Sequence, residues 1–112
     1  MIDIKYAYIS GKSGSHDEIK QKLTDAGFFV FDPINTDKLS FYDDVCIRLA
    51  ALTRCNYIYQ PDNWENDDIA VVEWYVAKLL DIKVINHDWL GWYTEVANEN
   101  KNRRKDHNTK SN

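Results

Sequence analysis

Glu73 is the residue in this 112-residue chain whose setting most demands a chemical explanation. From Asp67 to about Leu80 the apolar residues recur at helical spacing. On a wheel of about 100° per residue with Ile69 at the origin, Glu73 falls at about 40°, among Leu80, Ala77, Val76 and Val72. Lys78 and Val71 take the opposite side. A carboxylate set into an apolar arc is destabilising unless it is paired, hydrogen-bonded or protonated. Two readings remain open. Glu73 is an acid, base or nucleophile in a cleft, or it is half of a structural ion pair whose other half is Arg48, which flanks the apolar stripe of a neighbouring predicted helix.

A second group of residues surrounds the loop Ser10-Gly11-Lys12-Ser13-Gly14. Its centre reads G-K-S, but it is not a Walker A motif, because the position five before Gly11 is Tyr6 where that motif needs glycine. A glycine loop between a strand and a helix N-terminus still offers backbone N–H groups and a positive dipole end to an anion. Tyr8, Ser10, Gly11, Lys12, Ser13 and Gly14 are therefore candidate ligand contacts, with Lys12 a candidate for a 5′-phosphate. Trp64, followed by Glu65, lies in a later loop between Asp62 and Asp67. An exposed tryptophan there can stack on a base, worth about 1–3 kcal/mol, or serve as a plug or oligomer contact. Trp89 and Trp92, three apart on a predicted helix, read as core or subunit interface.

The elements that must position these residues alternate. Ile4–Ile9 reads as a strand ending at the glycine loop. Asp17–Ala26 reads as a helix opened by Ser15 or His16 and stopped by Gly27. Phe28–Phe31 is expected as a short buried strand ended by Asp32-Pro33. A polar loop to about Ser40 precedes a helix over Phe41–Arg54, with Val45, Leu49 and Leu52 as its stripe. Tyr57–Tyr59 is a third strand, broken at Pro61-Asp62-Asn63, and Asp67 or Asp68 caps the Glu73 helix. Lys83–Ile85 is a fourth strand, followed by a helix from Trp89 to about Asn98. Strands alternating with such helices imply right-handed βαβ units. The expected fold is a flavodoxin-like or Rossmann-like α/β sandwich of three layers around a four-stranded parallel sheet. Its ligands would bind at the strand carboxyl ends, which directs attention to loops 10–14, 32–40, 60–66 and 86–88.

Composition narrows the function further. With 44% hydrophobic and 13% aromatic residues the chain belongs among globular proteins. One domain over 1–99 is expected, with 100–112 a polar, disordered tail. The formal charge of −4 conceals a body near −8 and a tail near +4. An acidic body repels phosphate backbones, so nucleic-acid binding by the domain is not expected. Cys46 and Cys55 have no metal-ligand spacing and no histidine cluster beside them, so they read as reduced thiols, with no metal and no cofactor implied. No leader-like or membrane-spanning segment is evident, which predicts a cytoplasmic protein without membrane contact.

The residues Tyr8-Ile9-Ser10-Gly11, Cys55 to Tyr59, Trp64-Glu65, Asp67 to Glu73 with Ala77, and Val84-Ile85 together resemble the nucleoside 2-deoxyribosyltransferase-like superfamily, in particular its short bacterial and phage branch. The resemblance covers about residues 4–86. In that superfamily the segment after the third strand reads D-x-G-T-x-x-E or S-x-G-A-x-x-E, with an alanine following. Glu73 falls on the glutamate, which the resemblance implies is the nucleophile at the anomeric carbon. Ala77 falls on the alanine, and Asp67 on the leading residue that positions substrate. Asp43 or Asp44 would protonate the leaving base, with Asp44 taken as the catalytic acid and Asp43 as a ligand contact. The resemblance implies cleavage or exchange at the N-glycosidic bond of a nucleoside or nucleoside 5′-monophosphate, and a homodimer.

Two departures stand out. The family glycine four before the glutamate is Ile69, and in the helix motif R-x-D-L-x-x-L-x-x-C-D the two aspartates are Arg48 and Asn56. If Arg48 neutralises Glu73, the nucleophile is disarmed. The alternative function is then a catalytically inert nucleotide-binding or sequestering protein with the same fold. A third reading, an interaction module built on Trp64, Trp89 and Trp92, would show no pocket beside Glu73.

Overall fold

The computed structural model describes residues 4–12, 16–33 and 39–110, with 100–110 as backbone only. Ser13, Gly14 and Ser15 lie outside the described residues, as does 34–38 of the second loop. Four strands, β1 (Tyr6–Ile9), β2 (Phe29–Phe31), β3 (Tyr57–Tyr59) and β4 (Lys83–Ile85), alternate with four helices, α1 (Asp17–Asp25), α2 (Phe41–Leu52), α3 (Asp68–Leu79) and α4 (His87–Lys110). The sheet is wholly parallel, in the order β2-β1-β3-β4, with Tyr8 opposite both Phe31 and Ile58, and Ile58 opposite Val84. This is the three-layer, doubly wound arrangement that the alternation of elements predicts.

The period of two along each strand sorts the core onto both faces. Ala7 and Ile9 of β1, Tyr59 and Ile85 meet Leu23 of α1 and Leu90 of α4 on one side. Tyr8 and Ile58 meet Leu52 of α2 and Ala77 of α3 on the other. The expectation of a buried second strand holds for Phe28 but not for Phe29, which is 61% exposed. β2 is an edge strand with a neighbour on one side only, so Phe29 and Phe31 cover Tyr6, at 5.6 and 5.9 Å between ring centroids, and are left open beyond it.

The helix ends follow from local chemistry. Ser40 caps α2 by accepting from the Asp43 N–H at 3.2 Å, and Asp67 caps α3 by accepting from Ile69 and Ala70. Of the two aspartates that could cap α3, it is the first that does. α4 runs to Lys110 rather than ending near Asn98. Residues 92–110 contain neither glycine nor proline, so nothing local stops the backbone hydrogen-bond ladder. Among the described residues no helix is long and apolar enough to cross a membrane.

Leu52 is fully buried at the centre of the α2–α3 layer, whereas Leu79 is 85% exposed. Leu52→Ala should lower the unfolding free energy by about 2–5 kcal/mol. Leu79→Ala should stay within about 0.5 kcal/mol. Urea unfolding of the two variants beside wild type checks the assignment of the core.

Candidate functional site

β1 and β3 are central neighbours, and the chain leaves them toward opposite faces, to α1 from one and to α3 from the other. Open parallel sheets bind ligands at such switch points. The segments described there are Ser10–Lys12 after β1, Asp32-Pro33 after β2, and Gln60–Asp67 after β3, which includes a 3-10 turn at Trp64–Asn66.

Glu73, in the second turn of α3, is 1% exposed. The helical wheel places it correctly, and its partners are now defined. Tyr8 donates its phenolic O–H to Oε2. Ser10 Oγ donates to Oε1 at 3.0 Å, and the Gly11 backbone N–H donates to the same oxygen at 2.8 Å. Burial raises the Glu73 carboxyl above the usual range for glutamate. The donors Tyr8 and Gly11, the nearby Arg48 charge and Ser10 oppose that rise without cancelling it. The Tyr8 phenol is itself driven up, first by burial and then by the charge of Glu73.

Arg48 does not pair with Glu73. Its Nε donates to Asp44 Oδ1 at 2.7 Å, one helical turn away, and its terminal nitrogens Nη1 and Nη2 donate to the carbonyls of Gly11 at 3.1 Å and Pro33 at 3.0 Å. An i,i+4 partner on the same helix is available to Arg48 without any long-range closure, which explains why Asp44 takes it. Glu73 has no ion pair of its own among the described residues. The other oxygen of Asp44 faces Lys12 Nζ at 2.9 Å, so this buried aspartate holds two cations. Asp43, its neighbour, is exposed.

The loop after β1 is tied to α3 through its backbone. While the Gly11 N–H bonds Glu73, the Lys12 N–H bonds Asp67 Oδ2 at 2.8 Å. The donors that a bound anion would need thus face the chain's own carboxylates. Gly11 has φ +83°, and a Cβ there would lie 2.7 Å from Asp67 Oδ2 and 3.2 Å from the Ala70 Cβ. Only glycine allows β1 to approach α3 this closely. Trp64 is half-buried rather than free, stacked on Trp74 at 5.4 Å with planes 23° apart. Ser13 and Gly14 fall outside the described residues. Among those described, no group of three His, Cys, Asp or Glu is placed to hold a metal ion.

Sequence reasoning missed two features. His16 Nδ1 meets Asp32 Oδ1 at 2.6 Å across the ends of β1 and β2, while His16 Nε2 is buried and has no partner among the described residues. No periodicity links residues on separate elements in this way. Gln60 closes β3 as a buried polar residue, and a glutamine ending an apolar strand was the available signal.

Gly11→Ala should destabilise by about 2 kcal/mol or more, because strain in the left-handed region adds to the collision with Asp67. Gly27→Ala should cost only about 1 kcal/mol, since φ is +95° there but nothing lies within 4 Å of the added Cβ. Urea midpoints separate the two. Because its folded-state pKa is raised, Glu73 binds its proton more tightly in the native state. Its contribution to stability is full below the ordinary value of 4.5 and is lost as pH rises through the folded value. Wild type should therefore lose stability relative to Glu73→Gln as pH increases above 4.5; a pH-independent difference would contradict the burial argument.

No protein-family model matches the chain, and no curated protein does so. Among solved structures it is similar to the 2-deoxyribosyltransferase of the psychrotolerant bacterium Bacillus psychrosaccharolyticus, a biocatalyst for the synthesis of antiviral and antitumoral nucleosides. The TM-score is 0.58 at 16% identity, over 72% of this chain and 70% of that one. At that identity, what the two proteins share is the Rossmann-like α/β fold.

Proposed function

We propose that this protein cleaves or exchanges the N-glycosidic bond of a nucleoside, with Glu73 as the nucleophile. One observation carries the reading. A buried carboxylate stands at the β1–β3 switch point, oriented by Tyr8, Ser10 and Gly11, and no cation among the described residues closes on it. Glu73 attacks the anomeric carbon, the C–N bond breaks with its electron pair going to the base, and the base takes up a proton. Water or a second base then attacks the same carbon and releases the carboxylate. Activity requires ionised Glu73, so the rate rises with pH through its pKa. The fold shared with a 2-deoxyribosyltransferase supports the nucleoside class.

Charge favours a nucleoside over its 5′-monophosphate. Lys12 is engaged by Asp44, and the N–H groups of Gly11 and Lys12 by Glu73 and Asp67, which leaves an acidic surround for any phosphate. Asp44 can protonate the leaving base only after releasing Lys12 or Arg48. His16, oriented by Asp32 and with Nε2 unpartnered among the described residues, is the second candidate for that proton.

A second reading, ligand binding without chemistry, is favoured by a different observation. Both oxygens of Glu73 already accept bonds from the chain, and the buried Ile69 side chain stands where the family pattern has glycine. Purified protein incubated with a panel of nucleosides and 5′-monophosphates separates the two, with released base read by chromatography. Base release from nucleosides should fall by about a thousandfold or more in Glu73→Ala and Glu73→Gln. Tyr8→Phe removes a donor to the carboxylate, so the acid limb of its pH–rate profile should move to higher pH. Saturable binding without release would select the second reading, and neither binding nor release would overturn both.

A further inference from the structure

A cleft of about 240 Å³ opens at the carboxyl ends of β3 and β4. Gln60 and Asn86, the residues that follow these two strands, both line it, and Trp64 lines it as well. Gln60 donates its backbone N–H to Ile85 at 2.9 Å, which extends the β3–β4 ladder, and its side chain is 3% exposed. The carboxamide Nε2 faces the Ala70 carbonyl at 3.5 Å, and Oε1 is buried with no partner among the described residues. Exchanging the two atoms would set oxygen against oxygen at Ala70, so the acceptor is the atom left open. Buried amide oxygens without partners are rare, and the residue that carries this one lines the cleft, from which a donor could reach it.

Asn86 supplies the complement. Its Oδ1 accepts from the Trp89 N–H at 2.9 Å at the start of α4, so the atom that remains is Nδ2, a donor. An acceptor and a donor beside an aromatic side chain match the edge and face of a flat molecule carrying both N–H and C=O or ring nitrogen. Asp62 and Glu65 also line the cleft, which disfavours phosphate and carboxylate. We propose that this cleft binds a neutral planar heterocycle of the amide type, the chemical class of a free nucleobase, between Gln60 and Asn86. The site is separate from the Glu73 cradle. The pocket between Ser10, Trp64, Asp67 and Ala70 holds about 10 Å³, room for about one water molecule. The inference therefore does not depend on glycosidic chemistry at Glu73.

Titration of the ¹⁵N-labelled full chain with uracil, cytosine and hypoxanthine tests it. Saturable shifts are expected at the side-chain amides of Gln60 and Asn86 and at the Trp64 indole. Gln60→Leu should weaken every base by about tenfold. Asn86→Asp keeps the helix cap but replaces the donor by an acceptor, so it should weaken uracil and hypoxanthine relative to cytosine. That change of preference decides the matter if Gln60→Leu fails to fold. Glu73→Gln run in parallel separates the sites. Binding that survives Glu73→Gln and falls in Gln60→Leu belongs to this cleft. Binding that falls in Glu73→Gln alone, or no shift at these three side chains up to the solubility of the bases, overturns the proposal.

Discussion

Two carboxylates on one helix, Glu73 and Asp67, hold the loop after β1 by its backbone N–H groups, and the arrangement of the central sheet edge depends on that tie. It demands glycine at position 11, because a side chain there would occupy the space of Asp67. It also brings Ser10 and Tyr8 onto the same carboxylate, so β1 and the loop after it converge on one side chain of α3. Arg48 completes the loop from the other side, holding the Gly11 carbonyl and, through Pro33, the end of β2. The loop is thus held by its donors from α3 and by its acceptor from α2.

This inverts the usual use of a glycine loop. Where such a loop meets a helix N-terminus, its N–H groups commonly face a bound phosphate. Here the anion is built into the chain as side chains. The consequence is electrostatic as well as geometric, since the body carries a charge near −8 and the acidic groups Asp44, Asp62, Asp67 and Glu73 gather around the strand ends. A neutral ligand enters such a site without the repulsion that a phosphate meets. Burial raises the Glu73 carboxyl while its donors lower it. That opposition keeps a carboxyl group beside an apolar layer with no ion pair among the described residues, its pKa held above the usual glutamate range.

Aromatic packing divides the edge of the sheet into compartments. Trp64 stacks on Trp74, which holds the 3-10 turn against α3, and with Ser10 it lines a small pocket. Beyond it lies the cleft of Gln60 and Asn86, whose polar atoms are set by backbone duties: Gln60 ends β3 beside Ile85, and Asn86 opens α4. The two polar sites share a loop yet rest on different neighbours of β3, with β1 and α3 forming one and β4 the other.

The sequence by itself determined the layers. Short strand runs of apolar and aromatic residues, helices with one apolar stripe, the glycine after α1 and the aspartate before α3 are local signals, and local hydrogen bonding and burial act on them directly. The wheel that put Glu73 in an apolar arc is of the same kind, since helix periodicity decides which side a residue faces. What touches that side is a long-range matter. Tyr8 and Glu73 are 65 residues apart, and no period relates them. Arg48 could have closed on Glu73 by composition alone, but Asp44 four residues before it offered a partner at lower conformational cost. The openness of β2 depended on strand order, which places Phe29 at an edge. His16 with Asp32, and Gln60 with its unpartnered oxygen, exist as features only once separate strands end side by side. Residue type announced that a carboxylate would be buried; only the packing of β1 against α3 decided what would hold it.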